Sequence, residues 1–571
     1  MPRVHLRLLA ASVGLLLVVI SSIIFADAQR SGTDTYAITN ARIVTVSGPV
    51  IEKGTVVIRD GLIAAVGANV AAPADARVID GTGLTVYPGL IDANTSLGVP
   101  EPAPSPSPSP GQGGGGFLAN LLRPPAASTT NSTQPAGLQP EVLAEDLIRP
   151  GGDAIETERS AGITTALTAP RSGIWIGQSA LINLAGDTSQ QMIVRSPVAM
   201  HVGFTPLRGG YPGSLMGVFA QLRQMLLDAQ RYREAHRVYE QSPRGLRRPS
   251  QDRSLEALLP VLDGRTPVVM YAEREREIQR ALDFADEFKL KAIIAGGLES
   301  SKVADRLQKA NVPVLLSLNF PKRTTAALPE ADPEPLRVLR ERVEAPKTAG
   351  KLANAKVRFA FQSGGVSPIT DFVANAAKTV ENGLSKDDAL RAFTIRAAEI
   401  FGVADRLGSI ETGKIANLTV TRGDLFDRNS RITNVFIDGR PIDLRPATPG
   451  AGQPVNIASG AWTLSVDLGQ GELAVTLNLQ QEGDRVRGSM QGALGSVDIA
   501  NASVGPAGDI RFTATVTLEG QTTEATFTGT MTGNEMRGAV NITGRAPGSF
   551  TGRRAAAPAP PAPTGTPPPG L

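Results

Sequence analysis

Val-Tyr-Pro-Gly-Leu-Ile-Asp-Ala-Asn-Thr-Ser-Leu-Gly, residues 86–98, is the stretch of this 571-residue chain that decides the fold. The apolar run at residues 90–93 follows a Pro-Gly turn and ends in small polar residues. This pattern is typical of a buried strand that delivers side chains to the mouth of a barrel. Asn94 and Ser96 come next, and because alternate residues of a strand share a face, we expect both to point the same way.

Strand and helix patterns alternate through residues 151–402, which favours an α/β fold with a parallel barrel or sheet. Long helices are predicted at residues 214–241, with Leu215 on the apolar stripe, and at residues 274–290. With residues 90–93, the predicted strands make an eight-stranded (β/α) barrel of the TIM type; the others are residues 163–167, 180–184, 198–204, 267–272, 291–295, 312–318 and 357–361.

The flanks of the predicted barrel, which spans residues 88–404, complement each other. Residues 36–87 read as short strands around an Asp60-Gly61 hairpin turn, and residues 405–445 read as strands around a second such turn, Asp438-Gly439. We therefore expect one small composite β-sandwich built from both flanks. Residues 100–137 are a Pro-, Ser- and Gly-rich insert, expected to be disordered, at the face where such barrels keep their sites.

Residues 455–554 have a different pattern, in which glycines separate stretches of alternating apolar and polar residues. This pattern predicts a separate antiparallel β-barrel. Gly460-x-Trp462 and the closing pair Arg553-Arg554 resemble features of lipocalin-type barrels. Trp462 is thus a weak candidate for ligand binding, and a core aromatic is the alternative. Residues 555–571 are Pro- and Ala-rich and are expected to be disordered.

The first 28 residues have the pattern of a secretory signal: Arg3 and Arg7, an apolar run at residues 8–24, and Ala26-Asp27-Ala28. The alternative is an uncleaved anchor in the inner membrane, and either one predicts an extracytoplasmic body, periplasmic or secreted. The chain has no cysteine, which excludes disulfides and thiolate metal ligands. A net charge of +3 gives no argument for nucleic acid as a partner.

Several phrases, in order along residues 36–445, resemble the amidohydrolase superfamily and its secreted branch, which is similar to imidazolonepropionase and to cyclic-amide or dipeptide hydrolases. They are Pro-Gly-Leu-Ile-Asp at residues 88–92, Gly-Ile-Thr-Thr at 162–165, and the closing phrases at 383–398 and 408–418. The resemblance implies hydrolysis of a C–N bond with one or two divalent metals, held by imidazoles and carboxylates at the strand ends.

This chain departs from the family at each metal-binding position. Where the resemblance places ligands, the sequence has, in order, Asn94, Ser96, His201, Tyr271, Gly296 and Gly364. The chain has three histidines, of which His5 lies in the signal segment and His236 on a predicted helix. We therefore expect no metal site and no cofactor, with zinc or another divalent metal only if the protein is an active hydrolase. His201 alone leaves two roles open, a general base or substrate contact and a satisfied core histidine.

Three functional hypotheses follow. The preferred one is a secreted amidohydrolase-fold protein that has lost its metal site and serves as a non-catalytic binding or structural module of the cell envelope. The first alternative is an active amidohydrolase that cleaves a non-peptide or dipeptide-type C–N bond, and the second is small-ligand binding by the C-terminal barrel. Partners are otherwise unknown; the Arg-rich segment from Arg223 to Arg253 suits either an anionic envelope polymer or lipid, or a solvated helix face.

Overall fold

The computed structural model describes residues 35–100, 134–444 and 458–554, with gaps at 136, 208–210, 323–333 and 367 and in several turns of the last range. The predicted signal at residues 1–28, most of the insert at 100–137 and the tail at 555–571 lie outside the described residues. The chain divides into two compact units, Met1–Leu444 and Arg445–Leu571.

The first unit contains eighteen strands in its described part. They are β1 Thr35–Ile43, β2 Ile51–Arg59, β3 Leu62–Gly67, β4 Arg77–Asp80, β5 Leu84–Pro88, β6 Leu90–Thr95, β7 Ile163–Thr168, β8 Trp175–Gln178, β9 Ala180–Asn183, β10 Ile193–Arg195, β11 Met200–Val202, β12 Val268–Ala272, β13 Ala292–Gly296, β14 Val314–Ser317, β15 Phe359–Gln362, β16 Leu418–Arg422, β17 Arg431–Ile437 and β18 Arg440–Ile442.

Twelve α-helices accompany these strands in the described part of the same unit. They are α1 Ala144–Leu147, α2 Asp153–Ser160, α3 Ser189–Met192, α4 Leu215–Gln241, α5 Arg253–Leu262, α6 Glu275–Phe288, α7 Ala304–Lys309, α8 Leu336–Glu344, α9 Thr348–Asn354, α10 Thr370–Glu381, α11 Lys386–Phe393 and α12 Ile395–Ile400. Within the residues that the structure describes, none of the helices has both the length and the hydropathy needed to cross a membrane.

The predicted barrel is confirmed, with one strand in an unpredicted direction. β6 pairs with β7 in parallel, and β11 to β15 form a continuous parallel run. Between them, β8 and β9 follow one another along the chain. β9 pairs antiparallel with β7, and β8 pairs antiparallel with β11. Residues 180–184, expected as a parallel strand, therefore run the opposite way.

The barrel closes between its last strand and its first. β15 lies beside β6, and the Ser363 backbone N–H donates to Oδ1 of Asp92 over 3.0 Å. Inward side chains such as Val269, Ile293 and Leu315 form a buried apolar cluster that fills the barrel interior. A larger apolar cluster lies between the strands and the surrounding helices. The barrel thus has a packed core, and its polar side chains stand near the strand ends.

The flanking strands form one composite sheet in which β16, from the C-terminal flank, is inserted between β5 and β17. Both predicted hairpin turns are present: Asp60 and Asp438 have φ of 51° and 50°, and the glycines after them have φ of 81° and 74°. A left-handed pair is what a two-residue turn requires, and glycine adopts it without strain.

A buried polar network ties this sheet to the barrel. The Asn417 side-chain amide donates to Thr165 Oγ1 over 3.0 Å and to Asn183 Oδ1 over 2.7 Å. Its carbonyl oxygen accepts from the Asp438 backbone N–H over 2.8 Å, and the Asn183 amide donates to the Asp438 carboxylate over 2.6 Å. Because these groups form hydrogen bonds with one another, the network fixes the sheet on the barrel.

Helix α4 begins as the sequence predicts, with the Ser214 hydroxyl accepting from the Gly217 backbone N–H over 3.2 Å. Its buried stripe runs from Val218 to Ala229. Leu215, expected on that stripe, is 37% exposed instead. The first helical turn therefore projects beyond the core against which the rest of the stripe packs.

The second unit is a closed antiparallel barrel, as predicted, with β19 pairing with both β20 and β26. Its described inward side chains, which include Trp462, Phe512 and Phe550, form one buried cluster. The strands are β19 Gly460–Asp467, β20 Glu472–Glu482, β21 Arg485–Gly492, β22 Gly495–Val504, β23 Asp509–Leu518, β24 Gln521–Thr532, β25 Glu535–Ile542 and β26 Gly548–Arg554.

Candidate functional site at the barrel mouth

Three of the six departing positions meet in one hydrogen-bonded chain at the mouth of the first barrel. Asn94 lies at the end of β6, Tyr271 on β12 and His201 on β11. The Tyr271 hydroxyl donates to Asn94 Oδ1 over 3.1 Å and lies 3.1 Å from His201 Nδ1. The side chain of Tyr271 thus links strands β6, β12 and β11 in the barrel interior.

The protonation of this chain follows from its donors. Because the Tyr271 proton is directed at Asn94, Nδ1 of His201 must carry a proton and donate to the tyrosine oxygen. Nε2 is then an acceptor, and it is buried without a hydrogen-bond partner among the described residues. Burial lowers the pKa of His201 to about 3 and raises the pKa of Tyr271 to about 12, so both are neutral at physiological pH.

At each of the two glycine positions, an added Cβ would meet a neighbouring side chain. Gly296 has φ of 99°, and an added Cβ would lie 2.5 Å from Oε1 of Glu273. Gly364 has φ of 61°, and an added Cβ would lie 2.2 Å from Oγ of Ser317. A side chain at either position would therefore require Glu273 or Ser317 to move, and the backbone there is in a region that side chains disfavour.

Ser96, the remaining one of the six positions, is not part of the hydrogen-bonded chain. It follows the end of β6, and its backbone carbonyl accepts from the Val99 N–H over 3.1 Å. The structure therefore joins Asn94, His201 and Tyr271 directly and leaves Ser96 in the loop that leads out of the barrel. Gly296 ends β13 and Gly364 follows β15, with β14 between these two strands.

The residues at the mouth do not fit the divalent metals that the fold implies. Within the described part of the chain, no group of three or more His, Asp, Glu or Cys side chains is positioned to hold a metal. At the mouth itself, His201 offers one imidazole, whose Nδ1 is bonded to Tyr271. Hard or borderline divalent cations need several anionic or imidazole ligands, and Asn94 with Tyr271 supplies neutral oxygens.

A buried pair of carboxyl groups lies near this layer: Asp92, which ends the Pro-Gly-Leu-Ile-Asp phrase, and Glu158, which the sequence pattern did not indicate. Asp92 on β6 accepts from the Asn94 and Ser363 backbone N–H groups, while burial raises its pKa to about 6. Glu158 on α2 is 7% exposed; burial first, and the charge of Asp92 second, raise its pKa to about 9. Oδ2 of Asp92 and Oε2 of Glu158 are buried and have no hydrogen-bond partner among the residues that the structure describes.

The signal that could have revealed Glu158 is its spacing. It follows the buried Ile155 by three residues in the same short helix, which places it on the same face. Desolvation therefore keeps the Glu158 carboxyl protonated and uncharged at neutral pH.

A cleft of about 610 Å³ opens beside Tyr271. Phe204 and Phe219 stack in its wall with ring centroids 4.9 Å apart. Charged side chains of both signs line it, among them Arg171, Glu273 and Arg280. The cleft thus combines an aromatic surface with polar groups, as small-molecule sites do.

Trp462, the weak candidate in the second unit, is fully buried. Its indole N–H donates to the Ala458 carbonyl over 2.8 Å, and the Arg554 guanidinium lies 4.7 Å from the ring centroid. Both contacts are typical of a core aromatic: its N–H has a hydrogen-bond partner, and its ring packs against the arginine that ends the last strand.

Comparisons with known proteins find similarity to amidohydrolases in sequence and in structure. Residues 277–442 match the sequence model of the amidohydrolase family. An amidohydrolase structure from Thermotoga maritima MSB8 is 25% identical, with a TM-score of 0.58, and the match covers 71% of this chain and 99% of that one. No curated protein sequence matches the chain.

Two further solved structures are similar over a comparable length. A prolidase complexed with N-methylphosphonate-L-proline is 18% identical with a TM-score of 0.44, covering 72% of this chain and 99% of that one. Phenylurea hydrolase B is 15% identical with a TM-score of 0.42, covering 72% and 97%. Residues 277–442 are thus similar to the amidohydrolase family in sequence, and the first unit is similar to the Thermotoga amidohydrolase in fold.

Proposed function

We propose that this protein is secreted and that its amidohydrolase-fold domain is a non-catalytic binding or structural module of the cell envelope. The observation that carries the proposal is the Asn94–Tyr271–His201 chain. It joins, through neutral groups bonded to one another, positions at which the family resemblance places metal ligands.

The glycines support the same conclusion independently. Replacing a ligand by a small residue would leave a cavity, whereas here the Glu273 carboxylate and the Ser317 hydroxyl occupy the space beside Gly296 and Gly364. Neighbouring side chains therefore lie where a ligand side chain would begin. Such packing stabilises a barrel that has no metal to organise its strand ends.

Binding is the capacity that the mouth retains. The cleft beside Tyr271 keeps an aromatic wall and charged groups of both signs. By contrast, the described interior of the second unit is filled by its own side chains, which disfavours a ligand cavity there. For the binding form of this proposal, the ligand site is the cleft of the first barrel.

The secretion part of the proposal rests on sequence. Residues 1–28 have the order of a signal segment: two arginines, an apolar run and a small-residue cleavage pattern. N-terminal sequencing of the mature protein from fractionated cells tests it. A start near residue 29 in a periplasmic or secreted fraction is expected, and a full-length chain in the cytoplasm would contradict secretion.

Metal analysis after purification without chelator separates this proposal from an active amidohydrolase. We expect less than about 0.1 equivalent of zinc, iron or manganese in the protein as purified, because one imidazole cannot retain a divalent ion through purification. A stoichiometric metal content would overturn the non-catalytic assignment and restore the hydrolase hypothesis.

A variant designed to create a zinc site provides the positive control for that measurement. Asn94→His with Tyr271→His would bring two new imidazoles toward His201, from positions whose present side chains are hydrogen-bonded in one chain with it. Three imidazoles on three strands form a typical zinc site, so this variant is expected to retain about one equivalent of zinc. Zinc in the variant and not in the parent shows that the assay detects an occupied mouth.

A further inference from the structure

The distal half of α4 and the loop after it concentrate arginine on the surface of the first unit. Residues 231–253, here called the arginine arm, contain seven arginines, three acids and no lysine. The last buried residue of α4 is Ala229, so the helical part of the arm turns none of its side chains fully into the core. In the loop, residues 241–248 are all exposed.

Few of these arginines are neutralised. Arg237 pairs with Glu234 at 2.5 Å, and Arg233 pairs with Asp263 at 2.8 Å. The other five have no salt bridge to any described residue: Arg231, Arg244, Arg247, Arg248 and Arg253. Unpaired like charges on one short segment produce a local positive field, although the net charge of the whole chain is small.

The choice of arginine over lysine indicates the chemistry of the partner. A guanidinium presents a planar fork of N–H donors that matches two oxygens of one phosphate, and it is more weakly hydrated than an ammonium group. An exclusive use of arginine across the arm therefore suits phosphate groups better than a diffuse negative surface.

Apolar side chains among the arginines distinguish a lipid surface from a soluble polyanion. Val238 is 43% exposed on the helix, and Leu246, between Arg244 and Arg247, is 48% exposed. A soluble polyanion offers nothing to these groups. At a bilayer, arginines contact headgroup phosphates while neighbouring apolar side chains enter the boundary with the acyl chains.

We propose that the arginine arm docks this protein on the surface of an anionic phospholipid bilayer. Arg244, Arg247 and Arg248 contact lipid phosphates, and Leu246 inserts at the level of the headgroups. This surface is separate from the barrel mouth, so the proposal holds whether or not the barrel catalyses a reaction.

Vesicle co-sedimentation of the full chain tests the proposal, with vesicles of phosphatidylglycerol mixed into phosphatidylcholine and vesicles of phosphatidylcholine alone. The protein is expected to prefer the anionic vesicles and to lose the preference as salt rises. Each arginine near an anionic surface contributes about a fivefold increase in affinity, so R244Q/R247Q/R248Q is expected to bind about 100-fold more weakly.

The matched control removes the same charge elsewhere. Arg276, Arg340 and Arg422 are exposed, and none of them forms a salt bridge to a described residue. The variant R276Q/R340Q/R422Q is expected to keep the preference for anionic vesicles to within about threefold. The apolar stretch at residues 8–24 is common to all variants, so any membrane affinity of its own cancels in the comparison.

Leu246→Asn separates the bilayer from a soluble polyanion. It is expected to weaken vesicle binding severalfold and to leave binding of inorganic polyphosphate unchanged. Three results would overturn the proposal: equal binding to neutral and anionic vesicles, an equal loss in the control variant, or vesicle binding that Leu246→Asn does not change. The last result would assign the arm to a soluble polyanion.

Discussion

Replacing Glu158 by glutamine is expected to stabilise the first unit, and increasingly so as the pH rises. Glu158 is 7% exposed, and its Oε2 has no hydrogen-bond partner in the described part of the chain. Burial and the nearby Asp92 raise the pKa of its carboxyl to about 9. The folded chain therefore holds a proton here that the unfolded chain releases. Glutamine has similar shape, is neutral in both states and has no proton to release.

The magnitude follows from linkage. The ordinary pKa of a glutamate carboxyl, 4.5, applies in the unfolded chain, and pH 7 lies about 2.5 units above it. Ionisation of this carboxyl therefore stabilises the unfolded chain by about 3 kcal/mol at pH 7. Between pH 4.5 and the folded pKa, the unfolded state binds fewer protons, and stability falls as pH rises. Glu158→Gln removes this slope, so the gain should be near zero at pH 4 and about 3 kcal/mol at pH 7.

The assay is urea unfolding followed by tryptophan fluorescence. The chain has two tryptophans, Trp175 in the first unit and Trp462 in the second. In a Trp462→Phe background the signal reports the first unit alone, which avoids mixing two transitions. The control Glu240→Gln removes an exposed carboxyl of α4 and should leave the midpoint unchanged at every pH.

One result would refute the reasoning about Glu158. If Glu158→Gln and its parent show the same change of urea midpoint between pH 5 and pH 9, the buried carboxyl does not stay protonated in the folded chain. A uniform loss of stability at all pH values would instead indicate that the carboxylate makes contacts that the amide cannot replace.

Three further predictions concern the mouth and the polar network, each read from the urea midpoint in the same single-tryptophan background. Gly364→Ala should destabilise by about 3 kcal/mol, because an added Cβ meets Ser317 at 2.2 Å, whereas Gly365→Ala, with positive φ but open space, should cost about 1 kcal/mol; equal losses would mean that backbone strain alone matters. Tyr271→Phe should cost about 2 kcal/mol, since Asn94 and His201 lose their partner, and an unchanged midpoint would show that the chain of hydrogen bonds is not formed. Asn417→Ala should cost about 3 kcal/mol by leaving buried partners unsatisfied, against less than about 0.5 kcal/mol for the exposed Asn382→Ala, and a loss as small as that of Asn382→Ala would contradict the network.

The fold could be predicted from sequence because its elements carry local signals. Apolar runs of four to seven residues mark the barrel strands, and the Asp60-Gly61 and Asp438-Gly439 turns mark the hairpins of the composite sheet. Strand direction carries no such signal. Residues 180–184 read as a buried strand in either orientation, so the antiparallel run of β9 could not be anticipated.

The candidate site was predictable in position but not in bonding. Aligned phrases indicated Asn94, His201 and Tyr271, yet only coordinates could show that the tyrosine hydroxyl reaches both neighbours. The exposure of Leu215 and the burial of Glu158 went unpredicted for one reason. Helical periodicity says which residues share a face, and tertiary packing decides how much of that face is covered.

The position of β16 bears on how the chain reaches its folded state. β5, at residues 84–88, pairs along one edge with β16, whose residues 418–422 are synthesised about 330 residues later. Until that segment arrives, β5 presents an unpaired edge, and closing so long a loop is entropically slow. A chain that must stay unfolded during export would benefit from this delay, and truncation before residue 418 should prevent the first unit from folding while truncation after residue 444 should not.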